Sequence, residues 1–322
     1  MRIKSSCNTL WKKEEDMMGK DIKKTLVKAW NYKWIYLMLL PVVVYFLVFR
    51  YAPMYGITIA FKDYNIFKGI FDSPWIGFKV FEKVFANKNF WLAIKNTFVL
   101  NLTSLAVSFP LTIIVSLMLN ELGSAKFKKV TQSILYLPHF VSWVVVAGIA
   151  TNMFALQNGT INMLLQRLGF DAIPFLSEKG WWIFTYIVCH VWKEIGWGTI
   201  IYLAALTGVD ESLYEAAYLD GASRFQRLIY ITLPSIKSVI VTMLILSLSK
   251  MMSIGLDAPL LLGNNKVMGV SEVISTYTYR IGIEKALYSE STAIGLFQSV
   301  VNIIILLGAD RFAKLIGEEG II

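Results

Sequence analysis

Six apolar runs, each about 20 residues long, recur along the sequence at 34–50, 97–119, 134–154, 183–206, 236–255 and 292–309. About 20 apolar residues in a helix cross the hydrocarbon core of a bilayer. Inside lipid every backbone polar group must find its partner within the protein, so only helices and closed barrels span it. These runs are continuous rather than alternating, which predicts an all-α, polytopic membrane protein with six transmembrane helices. The composition agrees: 56% of the 322 residues are apolar, mean hydropathy is +0.57, and only 16% are charged, against roughly 25% in soluble domains. Pro41 and Pro110 fall inside their runs, where neighbouring helices can satisfy the freed carbonyls. Pro138 falls in the first turn of the third run, the position where proline costs least.

The net charge of +9 matters by position. Nine Lys and Arg precede the first run, in residues 1–33, and such a bias places this end in the cytoplasm. An even number of spans then puts both termini there, in a multi-pass membrane protein. Ile22, Leu26, Trp30 and Trp34 recur at four-residue spacing among lysines, as in a helix lying on the inner leaflet; a solvated basic tail fits as well. No basic stripe lies away from a membrane-length run, which argues against nucleic acid as a partner. Two cysteines, Cys7 and Cys189, and two histidines, His139 and His190, supply neither a disulfide framework nor a metal cluster. HExxH and the phosphate-binding GxxxxGK[ST] are both absent. The chain divides into a basic segment, 1–33, and a transmembrane domain, 34–316, interrupted by a cytoplasmic loop, 207–235. The connections expected outside are long, with short helices predicted in 78–90, 160–168 and 271–288.

The 207–235 loop carries the most specific pattern. Asp210 is a good N-cap for a short helix through Leu213, Ala216 and Ala217, and Gly221 permits the turn that ends it. A second short helix places Phe225, Leu228 and Ile229 on one face beside Arg224 and Arg227. Pro234 opens the fifth span. The result is a helix–turn–helix with small residues at its tip. It can enter a partner's groove or pack on its own bundle, and the physics of the loop alone leaves both open.

The segment reads EAAYLDGASRFQRLIYITLP from Glu215 to Pro234, with the spacing E-A-A-x3-G-x9-I-x-L-P. This resembles the EAA loop of ABC-type import permeases. The resemblance implies the type I importer permease fold and a coupling helix in which Glu215, Ala216, Ala217, Asp220 and Gly221 dock onto an ATPase subunit. It implies as partners a second homologous permease, two ATPase subunits and an extracytoplasmic solute-binding protein. ATP and Mg would be bound in the ATPase; this chain would carry no cofactor, no metal and no catalytic residue. Pro53-Met54-Tyr55-Gly56, Phe61-Lys62-Asp63-Tyr64-Asn65 and the stretch from Trp192 to Leu206 resemble the branch of sugar permeases that serves oligosaccharides and polysaccharide fragments.

Within the apolar runs, Lys193 and Glu194 stand out, since each costs about 2.5–3.5 kcal/mol at the bilayer centre. A structural ion pair and a place on the solute path both fit them. The second run carries Thr97, Asn101, Ser104, Ser108, Thr112 and Ser116 at helical spacing; such stripes more often mark helix seams than ligand sites. A sugar path needs amides and aromatic faces, which makes Asn101, Lys193, Glu194 and Trp197 the expected pathway residues. Lys193 and Lys250, both within runs, favour an acidic, uronate-containing oligosaccharide. A non-sugar solute, an ion-coupled transporter and a membrane-embedded sugar transferase remain alternatives. The transferase would need paired carboxylates, for which only Asp210/Glu211 and Glu318/Glu319 are placed.

Overall fold

A computed structural model describes residues 31–315, 317 and 320. The basic segment expected to lie on the inner leaflet is outside the described residues. Those described form helices and connections with no strand, apart from one isolated bridge between Lys62 and Trp75. Two units divide the chain, one ending at Thr58 and the other beginning at Ile59.

The first unit is the opening span. Its α-helix, α1, covers Lys33–Phe46 and continues as a π turn, Leu47–Tyr51, and a 3-10 stretch, Ala52–Phe61. Pro53 has no N–H to continue the regular ladder, which accounts for the change of pitch there.

In the second unit the longest helix is α2, Lys88–Asn120, started by the Asn87 side chain accepting the Asn89 N–H at 3.0 Å. It packs most extensively against Lys179–Leu206, here α5. Small residues allow the approach. A Cβ on Gly198 would come 2.9 Å from Cγ2 of Thr112 on α2, and one on Gly196 would collide with the Leu135 carbonyl of a third helix, Ala125–Tyr136. Of the hydroxyl stripe on α2, Thr112 lies at this seam, while Thr97 accepts the Ile274 N–H at 2.8 Å. Thr97, Thr112 and Ser116 are buried and return their hydroxyl protons to the carbonyls of Ala93, Ser108 and Thr112, the usual outlet for such residues inside a helix.

Two of the expected spans are not single helices. The third is a pair, α3 (Ala125–Tyr136) and α4 (Trp143–Phe154), joined through a 3-10 turn at Leu137–Phe140 and bent by 99°. Pro138 therefore does not sit in the first turn of one span. It ends one helix, because it lacks the N–H that the fourth residue back requires. Ser142 starts the next by accepting the Val145 N–H.

The fifth run also breaks. Beyond α6 (Glu211–Leu219) and α7 (Arg224–Arg227), the helical stretch to Ser235 is bent by 62° against α8, Lys237–Leu248. The chain then leaves the helix at Ser249, short of the expected residue 255. The last helix, α9, covers Tyr288–Leu315.

Three helical stretches, Lys33–Phe61, Lys88–Asn120 and Tyr288–Leu315, are long and apolar enough to cross a membrane, and the two bent pairs make five crossings if each is one. Helix α5 has the length of a sixth, 28 residues, with His190, Lys193, Glu194 and four tryptophans in place of aliphatic side chains. Short helices follow in the connections near the expected places, at Lys79–Phe85, Thr160–Arg167 and Ile274–Tyr279.

Three apolar clusters hold the second unit. One gathers Leu100, Val146, Phe154, Trp182 and Val273. Another gathers Val84, Phe90, Ile274 and Ile294. The third, at the end where α5 stops, joins Leu117, Leu203, Leu206 and Ile236, with Leu228 and Leu233 packed against it. The 207–235 loop is thereby anchored to one end of the bundle through its second arm.

Candidate functional site

The loop is built by local hydrogen bonds that its sequence specifies. Asp210 Oδ1 accepts the Ser212 N–H at 2.9 Å, and this bond holds the Asp210 carboxyl below the usual carboxylate range. At the other end of α6, Gly221 adopts φ +77°, a left-handed conformation that glycine takes without a Cβ penalty. The Ala222 N–H then reaches the Ala217 carbonyl at 2.9 Å and the Gly221 N–H the Tyr218 carbonyl at 3.1 Å, the two bonds of a Schellman cap. A capping box follows: Ser223 and Gln226 exchange side-chain bonds at 2.8 and 3.3 Å. The Tyr214 hydroxyl meets Oγ1 of Thr232 at 2.9 Å and ties the arms together.

What this rigid turn presents is exposed. Glu215, Ala216, Asp220 and Gly221 are on the surface, and Ala217 is half-buried. Beside them Leu219 is 85% exposed and Tyr218 70%, and on the second arm Phe225 is 70% and Tyr230 76% exposed. Large apolar side chains left in the open on a loop between spans suit a partner surface. Asp210 is committed to its cap, so one member of the carboxylate pair that a transferase would need is a structural group.

The residues expected on the solute path fall in two places. Lys193, Glu194 and Trp197 gather at the break between α3 and α4. The Lys193 ammonium is buried, donates to the His139 carbonyl and lies 3.5 Å from that of Pro138. These are carbonyls of the turn that leaves the helical ladder. Glu194 bonds Nδ1 of His139 at 2.9 Å and stands 3.9 Å from Lys193. Trp197 stacks on the His139 ring at 4.4 Å and 6°.

Asn101 lies at the other break, where the chain leaves α8. Its amide donates to the carbonyls of Met251 at 2.7 Å and Ser253 at 3.3 Å. From α9, Gln298 donates to the Met252 carbonyl at 2.8 Å, and Asn302 accepts the Met252 N–H at 3.1 Å. Asn302 also donates to Oγ of Ser253 at 2.8 Å. Asn101 and Asn302 lie near the midpoints of their helices, so three amides clamp irregular backbone deep in the bundle. Irregular backbone at such depth is tolerated where it is buried in protein or lines a wet cavity.

A cavity of about 180 Å³ adjoins that break, walled by Asn101, Ser104 and Ser108 of α2, His190 of α5, and Ser247, Lys250 and Ser253. Lys193, Glu194 and Trp197 are not among its walls. Its volume is below the roughly 300–1,000 Å³ of a complete small-molecule site. A larger recess, about 700 Å³, opens at the end of the bundle away from the 207–235 loop, between Gln157, Asn158, Ser177, Asn264, Asn265 and Lys266. It lies on connections rather than between spans. The sequence marks Lys250 as a charge inside an apolar run; what it does not reveal is that the helix ends beside it and that His190 and Ser247 face the same space.

The chain is similar to known permeases over nearly its whole length. It is 45% identical over 299 residues to the polygalacturonan/rhamnogalacturonan transport system permease protein YteP of Bacillus subtilis, covering 93% of each chain. It is 43% identical to protein LplB of the same organism, covering 90% of this chain and 91% of that one. Among solved structures, a bacterial ABC transporter involved in the import of the acidic polysaccharide alginate has a chain 38% identical, with a TM-score of 0.83 over 94% of this chain and all of that one. The same score and 37% identity relate it to the alginate transporter in complex with an alginate pentasaccharide-bound periplasmic protein, over 91% of this chain and 98% of that one. Residues 84–317 match the family described as binding-protein-dependent transport system inner membrane component. The capped loop, the broken membrane helices and these similarities agree, and the chain belongs to that family of membrane-embedded transport permeases.

Proposed function

We propose that this chain is the permease subunit of an ATP-driven importer that moves an acidic, uronate-containing oligosaccharide into the cytoplasm by alternating access. The observation that carries the reading is the 207–235 loop, a doubly capped turn whose tip leaves Tyr218 and Leu219 in the open. Such a tip is suited to a partner's cleft. In this reading Glu215, Ala216, Ala217, Asp220 and Gly221 dock onto an ATPase subunit that holds ATP and Mg, and two such ATPases serve this chain and a second, homologous permease. Closure of the ATPases pulls the loop, and the loop moves the bundle through Leu228 and Leu233, which pack on the cluster at its end.

The loop then faces the cytoplasm of a bacterial cell, together with both termini. The larger recess at the opposite end faces the solute-binding protein. The cavity beside Asn101, too small for an oligosaccharide by itself, is one half of a path that the second permease completes. The acidic solute follows from similarity: permeases for polygalacturonan/rhamnogalacturonan and for alginate lie 45% and 38% identical to this chain.

The test is assembly. Gly221→Pro cannot adopt φ +77°, because proline fixes φ near −65°. The variant is expected to insert in the membrane and lose copurification with the ATPase. ATPase recovery equal to wild type would remove the docking role from this loop.

A further inference from the structure

Two lysines lie within apolar runs, and the structure gives them different work. Lys193 is buried, with its ammonium directed to the carbonyls of the broken α3–α4 turn. Lys250 is exposed, at the point where α8 gives way to irregular chain, and it is one of the residues that wall the cavity beside Asn101. Among the described residues no carboxylate lies within 4 Å of it.

The geometry points to Lys250 as the residue that binds a carboxylate of the passing solute. This rests on the reading of the solute as an acidic oligosaccharide. Four observations converge. The walls hold Lys250 and His190 but neither Asp nor Glu, so the cavity favours an anion and disfavours a cation. Ser104, 6% exposed, contributes to the wall a hydroxyl with no protein partner, which leaves a hydrogen bond to be made with a solute hydroxyl or carboxylate. The neighbouring backbone is irregular yet fixed by Asn101, Gln298 and Asn302, so Lys250 stands on chain that is held in place. The break lies level with the middle of α2 and α9, and transporters commonly place the substrate at mid-membrane where helices are discontinuous. An ionised residue at this depth is costly unless water, protein or a counter-charge receives it. A uronate carboxylate in transit supplies that counter-charge, and Lys193, sequestered at the other break, cannot.

The test uses the complete complex, with its second permease, ATPases and binding protein, reconstituted in proteoliposomes and given labelled trigalacturonate. Wild type imports the trimer. In Lys250→Gln the initial rate falls about tenfold or more, the effect of losing a hydrogen bond to a charged group. Lys250→Arg keeps the charge and retains most of the rate. Lys193→Arg, which alters a residue away from the cavity, serves as the comparison and shows no selective loss beyond its change in melting temperature. Wild-type rates in Lys250→Gln, in a transporter that imports trigalacturonate, would overturn the assignment while leaving the importer reading intact. Failure of Lys250→Gln to copurify with the complex would make Lys250 an assembly residue and also overturn it. If wild type imports neither trigalacturonate nor any other uronate trimer, the acidic-solute reading falls, and the role of Lys250 with it.

Discussion

Replacing Lys193 by Met tests whether this buried charge belongs to an ion pair or to a helix break. A simple buried pair predicts a loss of about 3–5 kcal/mol on removing one member, because the other is left uncompensated, and recovery when both are removed. The structure predicts otherwise. Glu194 has a side chain one-third exposed, lies 3.9 Å from Lys193, and meets His139 at 2.9 Å in a contact that does not pass through Lys193. The direct pair is therefore expected to contribute on the order of 0–1 kcal/mol, as partly solvated pairs do. More stability comes from the bond that the Lys193 ammonium makes to the His139 carbonyl in a buried setting. A hydrogen bond from a charged donor contributes about 1.5–3 kcal/mol, and its loss leaves a carbonyl of the 99° turn with one partner fewer. Lys193→Met should thus cost about 2–3 kcal/mol, and Glu194→Gln about 1 kcal/mol or less, since an amide can still bond His139. The double variant should remain as unstable as Lys193→Met, because neither new side chain donates to the His139 carbonyl. Thermal melting of the detergent-solubilised protein, read by tryptophan fluorescence, measures all three. Return of the double variant to the wild-type melting temperature would refute the role of Lys193 as donor to the broken turn.

Two glycines of α5 predict an order: Gly196→Ala drives a Cβ into the Leu135 backbone of α3, whereas Gly198→Ala meets only the movable Thr112 side chain of α2. The first should cost about 1–3 kcal/mol and the second less, as melting temperatures of the two variants will tell. Asn101→Leu removes the donor to Met251 and Ser253; amide exchange across 249–256 should rise, and unchanged protection would show that α9 alone holds the break. The depressed Asp210 carboxyl caps α6 fully above the ordinary aspartate pKa, near 3.9, and loses that contribution as pH falls through its lower folded value. Protection of the Ser212 amide, corrected for intrinsic exchange, should therefore hold from neutral pH down to about 4 and fall only in stronger acid; Asp210→Ala should abolish it throughout.

Sequence alone determined the class of molecule and the form of one loop, because both depend on interactions local in the chain. Apolar run length sets whether a helix crosses lipid, and it located the bundle whatever the side chains met. Asp210 and Gly221 bond within three residues of themselves, so the cap and the turn on either side of Glu215 were legible from their residue types. The two breaks were decided elsewhere. Pro138 by its missing N–H fits a first turn or a stop, and the carbonyl of His139 beside it is met by Lys193, 54 residues away. The run through residue 255 looks like one helix, yet it ends at Leu248 because amides of Asn101, 150 residues away, and of Gln298 and Asn302 satisfy the chain beyond. A helix in an apolar environment stops only where something else takes its hydrogen bonds. That substitute comes from distant helices once they have packed, and so tertiary structure alone fixed where Lys250 stands.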